Sequence, residues 1–299
     1  MDTKKPLQLS IIPSFYCNFN CRYCYLGDLK KDKTVLDLNI LKERLIELED
    51  QYNIHHISIY GGEISLLPNE YLLRLIKLLE KYNISFVTNL SNIKFIDFCN
   101  QYNIPVSISL NEERDNYKNT LYNLRQLKTK HELAIVVLPS ILNKNTKDLL
   151  DFYEKLGHDV FFIQYHPSIN NSFKYNITTK EYVKFLYDIL KYHSEGNYSF
   201  EITNKIILND DKYVPTMNSF LFINPSGNYS SIIYNGDIEQ NIEFNSLTEW
   251  EKHCKIEEKL YFEQCNLCKY YKKCKAEHLV DFKKPYCSGL YKIIESMEK

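Results

Sequence analysis

The stretch that decides the fold is Leu9-Ser-Ile-Ile-Pro13, followed after Ser14-Phe-Tyr16 by Cys17-Asn-Phe-Asn-Cys21-Arg-Tyr-Cys24. The first part is a short apolar run closed by proline, which reads as a buried strand. The second part places three thiols on the loop at its end. Three thiolates this close in sequence can converge on one inorganic cluster. Iron–sulfur clusters ordinarily take four cysteines, so three leave one iron open. An open position is what separates a catalytic metal site from a structural one. Read on these residues alone, a zinc knuckle stays an alternative.

Working outward, apolar strands alternate with amphipathic helices over the first two thirds of the chain. The expected strands are Leu9–Pro13, His56–Tyr60, Ile84–Thr88, Val106–Leu110, Leu133–Leu138 and Asp159–Gln164. They are rich in Ile, Val and Phe, as buried parallel strands are. Between them, Leu38, Leu41, Leu45 and Leu48 share one helical face, with Asp37 as the N-cap. Asn69 is the expected cap of a second helix carrying Leu72, Leu75 and Leu79, and Cys99 falls in a helix over Phe95–Tyr102. Thr178 and Glu181 have capping-box spacing ahead of a Tyr182–Tyr192 helix. This alternation predicts an α/β fold with a parallel sheet. Six βα units are too few for a closed eight-stranded barrel, so an open, partial (β/α)6 barrel is expected over residues 1–195.

The pattern changes in residues 196–299, the expected second domain. Ser219–Ile223, Asn224-Pro-Ser-Gly227 and Tyr229–Tyr234 read as a β-hairpin, followed by a helix near Leu247–Cys254. Four cysteines close the chain: Cys265, Cys268, Cys274 and Cys287. They suit either zinc or a second iron–sulfur cluster.

Composition excludes several classes. With 37 basic and 38 acidic residues, nothing favours nucleic acid by bulk charge. The apolar stretch Leu9–Phe15 is too short for a signal peptide and runs into the cysteines. No run reaches the roughly 20 apolar residues that span a bilayer. A cytoplasmic protein with no membrane partner is expected. In that reducing setting nine cysteines point to metal binding or redox chemistry rather than disulfides.

The C-x3-C-x2-C spacing after a first strand, ahead of a βα array, resembles the radical S-adenosylmethionine (radical SAM) superfamily. The resemblance implies that Cys17, Cys21 and Cys24 hold a 4Fe–4S cluster whose open iron chelates the amino and carboxylate groups of SAM. Electron transfer then cleaves the C5′–S bond and yields a 5′-deoxyadenosyl radical. Tyr23 matches the aromatic position near the adenine, and Gly61-Gly62-Glu63 matches the segment that binds the SAM amino group. Thr88-Asn89 and Ser109 with Asn111 match polar positions that contact SAM, although the family commonly has aspartate where Asn111 stands. Gln164 and His166, ending the sixth strand, are further candidates to face the site.

The terminal cysteines resemble the auxiliary-cluster extension called SPASM, or its reduced form, twitch. The full pattern has seven cysteines. Here no cysteine lies between Cys99 and Cys254, so the hairpin at Gly227 carries none, and His278 stands where a further one is usual. The resemblance therefore implies one auxiliary 4Fe–4S cluster, on Cys265, Cys268, Cys274 and Cys287. Cys99 and Cys254 are left as ordinary thiols, with Cys254 the better placed to return a hydrogen atom if the product is an epimer. Enzymes of this architecture often modify ribosomally made peptides. The expected function is hydrogen abstraction from a peptide or protein segment, supported by an external electron donor. About eight residues precede the first strand, which is expected to leave recognition to a separate leader-binding protein or to direct capture of a short peptide. A radical enzyme acting on a small molecule, and a non-catalytic metal-binding adaptor, are the alternatives.

Overall fold

The structure, a computed structural model, describes residues 4–165, 167–168, 171, 175–204, 220–235 and 238–268. Six parallel strands follow the expected alternation: β1 (Lys5–Ile11), β2 (Tyr52–Ile59), β3 (Asn83–Thr88), β4 (Val106–Ser109), β5 (His131–Val137) and β6 (Asp159–Gln164). The intervening helices are α1 (Leu38–Gln51), α2 (Asn69–Leu78), α3 (Ile93–Tyr102), α4 (Tyr117–Leu124), α5 (Pro139–Leu142) and α6 (Thr146–Leu156), and α7 (Thr179–Glu195) follows β6. The strands alternate between two environments, apart from the continuously buried Leu9–Ile11 of β1 and Leu133–Ile135 of β5. Leu7, Leu9, Ile57, Ile59, Phe86, Ile108, Leu133 and Phe162 are buried in one core with Leu41, Leu45 and Leu48 of α1. Their neighbours on the opposite face, among them His56, Ser58, Ser85, Ser107 and Glu132, stay half-exposed. A period of two on strands covered by helices on one side produces this pattern. The parallel sheet does not close on itself, as a partial barrel requires.

Local signals act largely as expected. The Asp37 side chain accepts from Asn39 N–H to cap α1, and the Thr178–Glu181 capping box opens α7. Asn69 is different: it is the first helical residue of α2, Pro68 takes the N-cap position, and no side chain caps that end. Proline's fixed φ of −60° suits entry to the helix and removes the need for an asparagine cap.

The hairpin is present and carries a third strand. β7 (Phe220–Ile223), β8 (Tyr229–Asn235) and β9 (Ile238–Phe244) form an antiparallel meander, followed by α8 (Leu247–Cys265). These strands do not form a sheet of their own. β7 pairs in parallel with β1, from Gln8 against Phe220 to Ile11 against Ile223, which gives one sheet in the order β6-β5-β4-β3-β2-β1-β7-β8-β9. The sheet thus runs through residues on both sides of position 195. Tyr229 O–H donates to Glu47 Oε2 of α1 at 2.7 Å, and Arg44 Nε donates to the Gly227 carbonyl at 3.0 Å. Trp250 of α8 donates from Nε1 to Ser231 Oγ at 2.8 Å. At the other edge, Ile202 bridges Val160 of β6. No described helix is long and apolar enough to cross a membrane.

Candidate active site

The three cysteines sit on the loop that leaves the C-terminal end of β1. Cys21 is buried, and Cys17 and Cys24 are half-buried. Cys17 N–H donates to the Lys30 carbonyl at 3.0 Å, and Cys24 N–H to that of Cys21 at 3.2 Å. The end of β2 holds the loop from beside it: Gly62 N–H donates to Ser14 O at 2.9 Å and Glu63 N–H to Tyr16 O at 2.8 Å. A Cβ on Gly62 would lie 2.1 Å from Tyr16 O and 2.5 Å from Phe15 C. Gly61 has φ +126°, a region open to glycine. The glycine pair therefore lets the second strand end approach the cysteine backbone.

Burial pushes the Cys17 thiol up to about 11, while the Phe19 N–H, 3.4 Å from its Sγ, works the other way and the Glu63 carboxylate adds to the rise. Cys24 is raised as well, chiefly by burial. Without a metal such thiols hold their protons; metal ligation needs the thiolates and releases those protons. Arg114 lies beside them, its Cζ 5.9 Å from the Phe19 ring. Burial opposes its charge, yet Tyr23, Cys21, Glu63 and Cys17 together hold its pKa above the usual value. Three buried polar atoms near this loop have no hydrogen-bond partner: Arg114 Nε, the Tyr23 hydroxyl and Glu113 Oε2. Orphaned groups of this kind mark a place where a polar ligand or water belongs. The Tyr23 ring meets the edge of Tyr175 at 6.2 Å, and Tyr175 meets Tyr165 at 6.3 Å, forming an aromatic wall. Among the described residues no three His, Cys, Asp or Glu side chains are placed to share a single metal ion. A cluster asks for something else, since its cysteines bind separate irons. The donor set, the adjacent cation and the orphaned atoms fit a 4Fe–4S cluster with a polar cofactor beside it.

Glu63 is 3% exposed, and both of its oxygens are occupied. Oε1 accepts from Thr88 Oγ1 at 2.6 Å and from Ser65 N–H at 3.1 Å; Oε2 accepts from Asn89 N–H at 2.7 Å. Asn89 Nδ2 donates to Asn18 Oδ1 at 3.0 Å, which ties the end of β3 to the cysteine loop. Ser109 ends β4 half-exposed, in register with Ala134 of β5. Asn111 is a strand extension: its Oδ1 accepts from Val136 N–H at 3.2 Å and its Nδ2 donates to Val136 O at 2.7 Å. An aspartate could accept there but not donate.

Cys17, Cys21, Cys24, Tyr23, Gly61, Gly62, Glu63 and Asn89 are thus gathered at one end of the sheet. Gln164 ends β6 buried, in phase with Val160 and Phe162. Cys254 is 6% exposed within the main core, and Cys99 is fully buried there too. Cys265 ends α8 and Cys268 is exposed. Cys274, Cys287, His278 and His166 lie outside the described residues. Sequence reasoning missed Glu113 and Arg114. Their one available signal was position, in the polar run Asn111-Glu-Glu-Arg-Asp115 just past the end of a parallel strand, where βα loops carry site residues.

Residues 11–156 match the family model of the radical SAM superfamily. The cysteine-type anaerobic sulfatase-maturating enzyme of Clostridium novyi is 25% identical over 221 residues, which is 61% of this chain and 58% of that protein, so the match spans little more than half of the relative. The structure of native anSMEcpe with bound AdoMet and Cp18Cys peptide superposes with a TM-score of 0.71 at 18% identity, over 97% of this chain and 96% of that one. Streptococcus suis SuiB bound to precursor peptide SuiA gives 0.57 at 19% identity, over 76% of this chain and 59% of SuiB. The two structural likenesses are likenesses of fold. With the cysteine loop in place at the end of the first of six parallel strands, residues 11–156 are a domain of the radical SAM superfamily, and that domain makes the chain an enzyme.

Proposed function

We propose that this enzyme cleaves SAM reductively at Cys17, Cys21 and Cys24 and uses the resulting radical to abstract hydrogen from a peptide or protein segment. The observation that carries the reading is the packing of the three-cysteine loop on Gly62 and Glu63, with Arg114 Nε and the Tyr23 hydroxyl buried beside it and unpaired. When bound, the cluster and SAM supply a one-electron cleavage that makes a 5′-deoxyadenosyl radical. The chain's own part is to hold and to aim. The three thiolates bind iron. Tyr23 gives a ring face and a hydroxyl, and Gly61, Gly62, Asn89 and Ser109 give polar groups at adjoining strand ends. The Glu63 carboxylate is already engaged by Thr88, Ser65 and Asn89, so its part is to fix those strand ends. Arg114 offers the cation that an anionic cofactor group, or the thiolates, would meet.

A peptide or protein substrate is supported by a relative that is a sulfatase-maturating enzyme and by similar folds solved with Cp18Cys peptide and with precursor peptide SuiA. Among the described residues the sheet face away from the helices is half-exposed, which suits an extended chain. We place one auxiliary 4Fe–4S cluster on Cys265, Cys268, Cys274 and Cys287, with an external electron donor, a separate leader-binding protein and a cytoplasmic setting as further parts of the proposal. Protein reconstituted without oxygen should hold about eight iron atoms, as two four-iron clusters. Replacing Cys17, Cys21 and Cys24 together with Ala should leave about four and abolish 5′-deoxyadenosine formation from SAM and dithionite. Retained cleavage in the triple variant would end this assignment. A short peptide encoded beside the gene should change in mass or stereochemistry when co-expressed. An unaltered peptide, with SAM turnover supported by a metabolite extract, would move the substrate to a small molecule.

A further inference from the structure

The turn after β3 is strained, and the strain is held from a helix that plays no part in the site so far. Leu90 has φ +56°, a left-handed conformation that a branched apolar residue adopts only when its surroundings impose it. Leu90 is 1% exposed and sits in the core. Nearly every main-chain polar group of this turn is met by a side chain. Asn89 N–H donates to Glu63 Oε2 at 2.7 Å, and Leu90 N–H donates to Thr88 Oγ1 at 2.9 Å. The two carbonyls are taken by α4. Thr120 Oγ1 donates to Asn89 O at 3.0 Å, and Asn123 Nδ2 donates to Leu90 O at 2.8 Å. Thr120 is 3% exposed and Asn123 5%. Two polar side chains buried on a helix, both spent on one kinked dipeptide of another element, are placed to control that dipeptide.

What the kink aims is the Asn89 side chain. Its Oδ1 accepts from Ser91 N–H at 2.9 Å, and its Nδ2 donates to Asn18 Oδ1 at 3.0 Å. Asn18 lies between Cys17 and Cys21, and its own Nδ2 donates to Ser91 Oγ at 3.0 Å. A chain of contacts therefore runs from α4 through Asn89 and Leu90 to the cysteine loop. An amide has two N–H groups and two lone pairs, so Asn89 keeps one of each for a ligand. We infer that Thr120 and Asn123 are positioning residues for the SAM site, holding the Asn89–Leu90 kink that fixes the Asn89 amide and the Cys17–Cys21 loop relative to each other. The inference rests on the proposed use of this site for SAM.

The test uses Thr120→Val and Asn123→Asp, each near-isosteric and each lacking its donor, with Thr120→Ser as the variant that keeps its hydroxyl. The full-length reconstituted protein is measured in three ways: iron content, amide exchange over residues 88–91 without SAM, and the SAM dissociation constant by equilibrium titration. Thr120→Val and Asn123→Asp should keep full iron, exchange faster at 88–91, and bind SAM about tenfold more weakly, as loss of one net hydrogen bond implies. Thr120→Ser should match the wild type in all three. Unchanged SAM affinity in both donor-less variants, or weakened binding in Thr120→Ser, would overturn the inference. If Asn123→Asp fails to fold, Thr120→Val against Thr120→Ser decides alone. Wild-type protein with full iron that neither binds nor cleaves SAM would instead overturn the underlying reading of the site.

Discussion

A β-carbon on Gly62 would stand 2.1 Å from the Tyr16 carbonyl oxygen, well inside contact distance, and the obstacle is backbone. Neither side can yield without moving the peptide that leads into Cys17. Gly157 offers the control. It has φ +69° at the end of α6, but a Cβ there would meet nothing described within 4 Å. Gly157→Ala should cost only the left-handed backbone penalty, about 1 kcal/mol, or about 2–4 °C of melting temperature. Gly62→Ala should lose most of the roughly four irons assigned to the Cys17–Cys24 loop while the rest of the chain stays folded. Iron counting after reconstitution, beside thermal melts of both variants, checks the pair. Full iron in Gly62→Ala would mean that the glycine serves something other than the cysteine loop.

At the level of elements, the parallel strands were legible because each is an apolar run covered by helices on one side. β6 begins and ends where its sequence says, at Asp159 and Gln164. β1 and β2 start earlier than expected, at Lys5 and Tyr52, because ladder pairing recruits Lys5-Pro-Leu-Gln8 and Tyr52-Asn-Ile-His55, in which polar residues interrupt the apolar signal. β9 was missed for the same reason: Ile238-Glu-Gln-Asn-Ile-Glu-Phe244 is largely charge and amide, and it is a strand because β8 pairs with it. The cysteines and Gly-Gly-Glu were legible because their spacing is local. Arg114 reaches the site through the fold, and its signal in the sequence is no more than its place in a polar run past the end of β4. Two asparagines show how far side chains extend these elements. Asn111 pairs with both polar groups of Val136, and Asn204 does the same at the sheet edge, accepting from Phe162 N–H at 2.7 Å and donating to Phe162 O at 2.8 Å. Each amide imitates a strand neighbour. Phe162 is fully buried, and its carbonyl keeps the Tyr182 hydroxyl as a second donor, but its N–H depends on Asn204. Asn204→Ala should therefore cost about 1–3 kcal/mol, the penalty for an unmet buried donor. Amide exchange at Phe162 should rise with it, whereas iron content should not change. Protection at Phe162 equal to the wild type would show that the edge is secured by other contacts.

Across the whole molecule, one continuous sheet carries the site at the C-terminal ends of its parallel strands, where open α/β sheets bind their ligands. The composition change after residue 195 suggests a boundary between two domains, but hydrogen bonds cross it on both flanks of the six parallel strands. On one side β7 covers the edge of β1, and Leu221, Ile223, Tyr229 and Trp250 share a core with Leu7, Leu9 and Ile11. On the other, Ile202 and Asn204 cover β6. A fragment ending at residue 195 would bare the backbone of β1 next to the cysteine loop and open the apolar core beneath it. It would also uncover part of β6. Exposed edges flanked by apolar surface invite association between chains. The fragment 1–195 should therefore be insoluble, or melt without a cooperative transition, and should take up little iron. The 1–268 fragment, which keeps β7 to α8, should fold, melt cooperatively and retain about four irons at Cys17, Cys21 and Cys24. Expression of the two fragments side by side, with melting curves and iron analysis, decides the matter. A soluble 1–195 fragment with a sharp melt and about four irons would show that the residues after 195 are an appendage, and that the shared sheet contributes little to holding the first strand and its cysteines in place.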